Sequence, residues 1–92
     1  MTRAVRLPLA QLAAGGRFEL PGWPGLEVRR LTAAEARGEG RALYLLVAGE
    51  LLVDLPDGRY LHLRPGEAAE VDGAHALSPI EEAVVLEWKP SS

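Results

Sequence analysis

Ninety-two residues suffice for one domain, which at this size buries roughly 60–65% of its unfolded surface around a single core, and are too few for two. No cysteine is present, so a disulfide framework, a thiolate nucleophile and a Cys-based zinc site are excluded, and any metal would have to use His and carboxylate. The formal net charge is −3, with arginines dispersed from Arg3 to Arg64 and only Arg29-Arg30 adjacent, which argues against the clustered positive surface that nucleic acid requires.

No apolar run approaches the about 20 residues of a membrane-spanning helix, and the N-terminus lacks a continuous apolar segment ending in a cleavage site. A cytoplasmic location without nucleic-acid or membrane partners is therefore expected. Asparagine is absent, Gln11 is the only glutamine, and nine arginines accompany the single Lys89. Avoidance of thermolabile side chains fits a thermophilic source, a bias that a GC-rich genome also produces.

Along the chain, Met1 to Leu7 alternates, with Val5 and Leu7 on one side, as a short edge strand or an arm pairing with a second subunit. Residues 1–20 read as an N-terminal arm. Pro8 to Ala14 can make a helical turn or more, started by proline and stopped by Gly15-Gly16. Arg17 to Leu20 alternates as a strand, and Pro21-Gly22-Trp23-Pro24-Gly25 is a loop of punctuating residues. Leu26 to Leu31 reads as a half-buried strand, with Leu26 and Val28 on one face and Glu27 and Arg29 on the other. Thr32 to Glu35 matches a capping box, but the glycines at 38 and 40 favour a loop over a helix.

Ala42 to Leu55 holds two apolar runs that meet at Ala48-Gly49 and reads as an antiparallel hairpin in which Gly49 supplies a positive φ. Ala42, Tyr44 and Leu46 share one face, and Leu43, Leu45 and Val47 share the other. Two apolar faces predict burial on both sides, toward the interior and toward another sheet, a terminal arm or a second subunit. A homodimer is expected on this ground. Pro56-Asp57-Gly58 is a turn, followed by a strand to Leu63 with Leu61 and Leu63 on one face and Tyr60 and His62 on the other. Arg64-Pro65-Gly66-Glu67 is a second turn. Ala68 to Val71 and His75 to Leu77 are short strands separated by Asp72-Gly73, with Ser78-Pro79 breaking the second. Ala83 to Lys89 is the last strand, with Val84, Leu86 and Trp88 on one face, and residues 90–92 are expected to fray. The count is about eight short strands with turn signals roughly every 8–12 residues, which indicates an antiparallel barrel or sandwich.

This order of strands and turns resembles the small single-domain proteins of the cupin superfamily over about Leu26 to Trp88. Tyr44 to Leu51, YLLVAGEL, is similar to the family's yVLxGxL segment, and Leu63-Arg64-Pro65-Gly66-Glu67 is similar to its L-x-P-G-D turn with Glu in place of Asp. The resemblance implies an all-β protein, a cupin-like double-stranded β-helix or RmlC-like jelly-roll barrel, with residues 1–92 forming a single domain. It also implies where a metal would be held, in a motif H-x-H, three residues, E, six residues, G. Counting back from Gly49 puts the three ligand positions at Ala36, Gly38 and Ala42, none of which can coordinate a metal. His75 follows Gly66 by nine residues, two fewer than the family's second-motif histidine. One imidazole cannot hold a catalytic metal, so no cofactor is expected.

Three functions are compatible with these residues. The first is metal-independent binding of a small organic molecule in a barrel lined by Trp23, Tyr44, Leu46, Tyr60, His62 and His75, which combine an apolar wall with a few polar groups. The second is a structural or interaction module whose barrel is filled by Leu and Val. The third is a metal-dependent enzyme of the oxygenase or isomerase kind, using a nonstandard site of His62 and His75 with Glu70 or Glu39. No catalytic residue is assigned and the balance is against an enzyme. Glu81-Glu82 point to opposite faces of a strand, Ser78 lacks a His-Asp pair at recognisable spacing, and Gly38-Glu39-Gly40 lacks the context of a phosphate loop.

Overall fold

The computed structural model describes residues 1–90; of the expected frayed tail, residues 91 and 92 lie outside the described residues. The helix α1 (Leu9–Leu12) and a 3-10 turn (Ala13–Gly15) precede nine strands. These are β1 (Arg17–Glu19), β2 (Leu26–Leu31), β3 (Glu35–Arg37), β4 (Arg41–Ala48), β5 (Leu51–Asp54), β6 (Tyr60–Leu63), β7 (Ala68–Asp72), β8 (His75–Pro79) and β9 (Ala83–Trp88). They form a five-stranded sheet in the order β1-β2-β9-β4-β7 and a four-stranded sheet in the order β3-β8-β5-β6. Every pairing is antiparallel. Neither sheet closes, and no ladder joins one to the other. The closed barrel of about eight strands expected from the sequence is therefore corrected to an open two-sheet jelly roll of nine.

The connections explain this architecture. Only β1–β2 and β5–β6 are hairpins; at every other turn the chain leaves one sheet for the other. The Ala42–Leu55 stretch is such a crossing, not the hairpin its sequence suggests. β4 pairs with β7 and β9, whereas β5 pairs with β6 and β8. Gly49 turns this corner at φ +85°, and a Cβ there would run into the Glu82 carbonyl oxygen of the neighbouring β8–β9 corner. The Ile80 amide donates to the Glu50 carbonyl at 3.1 Å, tying the two corners together. At the opposite end of β4 the Gly73 amide donates to the Gly40 carbonyl at 3.0 Å, tying β7–β8 to β3–β4.

Alternation then sorts the side chains. Leu31, Tyr44, Leu46, Leu51, Val53, Leu63, Leu77 and Val85 face inward in one apolar cluster, each worth roughly 1.5–3 kcal/mol when fully buried. A second cluster lies on the outer face of the five-stranded sheet, where Leu9 and Leu12 of α1 pack over Val28, Val84, Val47 and Leu86. The helix thus covers part of the second apolar face of β4. Leu43 and its cross-strand partner Trp88 remain 38% and 43% exposed.

Three local expectations are corrected. Met1 to Leu7 forms no strand and is exposed. The segment expected to be a loop contains β3, which pairs Glu35 with Leu77 and Arg37 with His75. β8 continues through Ser78 to Pro79, because Pro79 sits opposite Leu51 at the strand's end, where a missing N–H is tolerated. Among the described residues no helix is long and apolar enough to cross a membrane.

Candidate functional site

A cleft of about 540 Å³ opens at the Gly40–Gly73 end of the jelly roll, lined by the Arg37–Ala42 segment, Tyr44, His75 and the Lys89-Pro90 end of β9. Tyr44 arrives from the inward face of β4 and His75 from that of β8, so one residue from each sheet meets here. The Tyr44 hydroxyl and His75 Nε2 are 2.6 Å apart, and the two rings meet edge to face at 64°. On the other side of the imidazole, Nδ1 lies 2.7 Å from the Gly73 carbonyl oxygen. A carbonyl can only accept, so Nδ1 carries the proton, which in the neutral imidazole leaves Nε2 to accept from the Tyr44 hydroxyl. Burial, reinforced by the negative charge of Glu87, pushes the Tyr44 phenol up to about 12, which keeps it a hydrogen-bond donor at neutral pH. The pair is satisfied within itself.

Beside this pair lies a ring of charge. Glu87 is completely buried and accepts from Arg37 at 2.8 and 3.3 Å. Arg37 also donates to Glu35 at 3.1 Å, Glu35 accepts twice from Arg29 at 2.9 and 2.8 Å, and Arg29 stands 3.9 Å from Glu87. Arg29 and Glu87 belong to the five-stranded sheet, Glu35 and Arg37 to the four-stranded one. The ring therefore links the two sheets across a flank where no backbone ladder does. Bidentate guanidinium–carboxylate geometry suits this, since a fork of donors fixes orientation as well as charge.

Of the residues singled out from sequence, Tyr44 and His75 are brought together in the cleft. Leu46 faces inward but is sealed in the apolar core. Tyr60 and His62 lie on the outer face of β6, because Leu63 packs into the core and Leu61 shares its face by alternation. His62 Nε2 is 3.0 Å from Glu50 there. Trp23 is exposed on the β1–β2 loop. Glu70 faces outward on β7 and holds Arg41 at 3.0 Å, and Glu39 sits on the cleft rim. The three-part site of His62, His75 and Glu70 is not assembled, and among the described residues no three His, Cys, Asp or Glu side chains form a group able to hold a metal ion.

The metal motif implied by the resemblance fares no better against the geometry. Ala36 is exposed, and the part-buried residues of β3 are Glu35 and Arg37, so counting back from Gly49 misses the inward face of β3 by one residue, whereas Ala42 does face inward. At the position across from His75 stands Arg37, whose guanidinium has donors only and cannot coordinate a metal ion. The residues present do not fit a metal. Sequence reasoning missed the charge ring because Arg29 falls on the polar face of β2, and Glu35 and Arg37 fall in the segment that reads as a loop. The available signal was Glu87 itself, a lone carboxylate inside the apolar run Ala83 to Trp88.

No family model matches the chain, and no curated protein matches it. Solved structures do. Protein NMB1881 from Neisseria meningitidis is 20% identical, with a TM-score of 0.75 over 95% of this chain and 100% of its own. A cupin superfamily protein from Desulfitobacterium hafniense is also 20% identical, with a TM-score of 0.75 over 100% of this chain and 95% of its own. The iron(II) form of HppE with its substrate is 17% identical, with a TM-score of 0.58 over 73% of this chain and 47% of its own. At these identities the likeness defines the fold: the chain is a cupin-type jelly roll.

Proposed function

We propose that this cupin-like protein binds a small organic molecule, without a metal, in the cleft floored by Tyr44 and His75. The observation that carries this reading is a preformed concavity of about 540 Å³ with one buried, oriented polar pair at its base, within the size range of small-molecule sites. Arg37 supports the metal-independent form of the reading, since this donor-only side chain stands opposite His75, the inward-facing histidine, where a metal ligand would be needed. The role is that of a binding protein more than an enzyme: the Tyr44–His75 pair is closed on itself, and among the described residues lining the cleft there is no Ser, Thr or Cys. The filled-interior alternative applies to the other half of the jelly roll, where Leu31, Leu46, Leu51, Leu63 and Leu77 leave the core apolar and closed.

The test is amide chemical-shift mapping of isotope-labelled protein against a small-fragment library. Binders are expected to shift Gly38, Gly40, Ala42 and His75, and Tyr44→Phe is expected to alter the His75 response. Shifts confined to Trp23, Tyr60 or His62, or an absence of binders, would contradict the proposal.

A further inference from the structure

We infer that the cleft is selective for small organic carboxylates; this inference rests on the binding role proposed above and names the chemistry of its ligand. The sign of the lining is the first observation. The whole chain carries −3, yet the charged residues of the cleft are Arg37, Arg41 and Lys89 against Glu39 alone. Even with Arg37 set aside as paired to Glu35 and Glu87, the lining keeps an excess of positive charge, and a concave site with such an excess concentrates anions.

The availability of these cations is the second. Arg37 is held by Glu87 and Glu35 and acts as a fixed wall, neutralised by its partners. Arg41 lies at the cleft's edge with its side chain toward the outer face, where it pairs with Glu70; their side chains are 62% and 61% exposed, and a pair of that kind is worth about 0–1 kcal/mol, so a ligand at the mouth can draw Arg41 over the rim. Lys89 makes no ion pair among the described residues. Two cationic side chains can therefore turn to a ligand, against one carboxylate that would repel it. The amides of Gly38, Glu39 and Gly40, on the same rim, donate to no other described residue, which adds neutral donors suited to an anion.

The third observation concerns the ligand's remaining atoms. Pro90 and the edge of Ala42 give the cleft an apolar wall, and Tyr44 beneath them is completely buried with its hydroxyl committed to His75. An inorganic anion would leave that wall in water, whereas a carboxylate with an organic body covers it while its charge stays at the mouth with Arg41 and Lys89.

The experiment is calorimetric titration of untagged, chelator-treated protein with benzoate and succinate, with the neutral counterparts benzamide and succinamide, with inorganic phosphate, and with Zn²⁺. At least one carboxylate is expected to bind ten or more times tighter than its amide and than phosphate, and Arg41→Gln with Lys89→Gln is expected to weaken it at least tenfold. Glu39→Gln is expected to strengthen it severalfold. Amides binding as tightly as carboxylates would overturn the anion inference while leaving the binding role intact. Phosphate alone, or Zn²⁺ at stoichiometric affinity, would overturn it as well. Silence from every probe would count against both, and fragment mapping of the cleft would then decide the binding role separately.

Discussion

Replacing Glu87 with Gln keeps the shape of a completely buried side chain and deletes the negative charge that holds Arg37 at 2.8 Å and faces Arg29 at 3.9 Å. Breaking a buried pair from one side costs about 3–5 kcal/mol, because the surviving charge is left uncompensated. Glu35 stays beside both guanidiniums and its side chain is 35% exposed, so the expected loss for Glu87→Gln is near the lower end, about 3 kcal/mol. For a domain of this size that lowers the Tm by roughly 12–24 °C. The control is Arg37→Leu combined with Glu87→Leu. Removing both partners replaces the pair with apolar volume, which is commonly neutral, and leaves in place the Arg29–Glu35 contact, in which one guanidinium nitrogen donates to both carboxylate oxygens. Urea unfolding followed by circular dichroism on Arg37→Leu, Glu87→Leu and the double variant gives the coupling directly. A loss under about 1 kcal/mol in Glu87→Gln, the level of an exposed pair, or a double variant as unstable as the sum of the singles, would refute the view that this ring joins the sheets.

Tyr44 makes a pH prediction. Its phenol is raised to about 12, chiefly by burial, so the stability it contributes is complete below its unfolded pKa of about 10 and is lost as pH rises through about 12. In a Tyr60→Phe background the phenolate absorbance should emerge only near that upper value, with a stability loss between the two that Tyr44→Phe lacks; emergence near 10 would contradict the burial. Gly49→Ala places a Cβ against the Glu82 carbonyl at φ +85° and should cost at least about 1–3 kcal/mol in denaturant unfolding, with a neutral result contradicting the crossed corners. We also propose that two copies pair over the exposed Leu43–Trp88 patch, and light scattering at micromolar concentration should then report a dimer that Trp88→Glu dissociates. A wild-type monomer would defeat that.

What was legible in the sequence was whatever local chemistry dictates. β2, β6 and β9 alternate, and the turns at Pro56-Asp57-Gly58 and Arg64-Pro65-Gly66-Glu67 form where their residues demand. β2 and β9 nonetheless turn their apolar Val28 and Val84 outward to α1 and their charged Glu27, Arg29 and Glu87 toward the interior. Alternation identifies two faces; which one meets the core depends on what packs there. The Gly49 turn shows the same limit, because a glycine at positive φ suits a hairpin or a corner equally, and the choice of partners for β4 and β5 is made by strands far away in the chain. β3 escaped notice since Glu-Ala-Arg has no apolar stripe, its part-buried residues being members of the charge ring. Within the site, Tyr44 and His75 were found from their strands, while Tyr60 and His62 were assigned inward despite sharing β6 with Leu61 and Leu63, whose apolar side claims the core.

The most direct test of the account is a crystal structure of the untagged protein grown with the tightest binder from the carboxylate titrations. The account predicts ligand density in the cleft between Tyr44, His75 and the Gly38–Ala42 rim, with its carboxylate at Arg41 and Lys89 and Arg37 still held by Glu87. Density on the Trp23 loop or the Tyr60–His62 face, or a metal ion coordinated by His75, would contradict it.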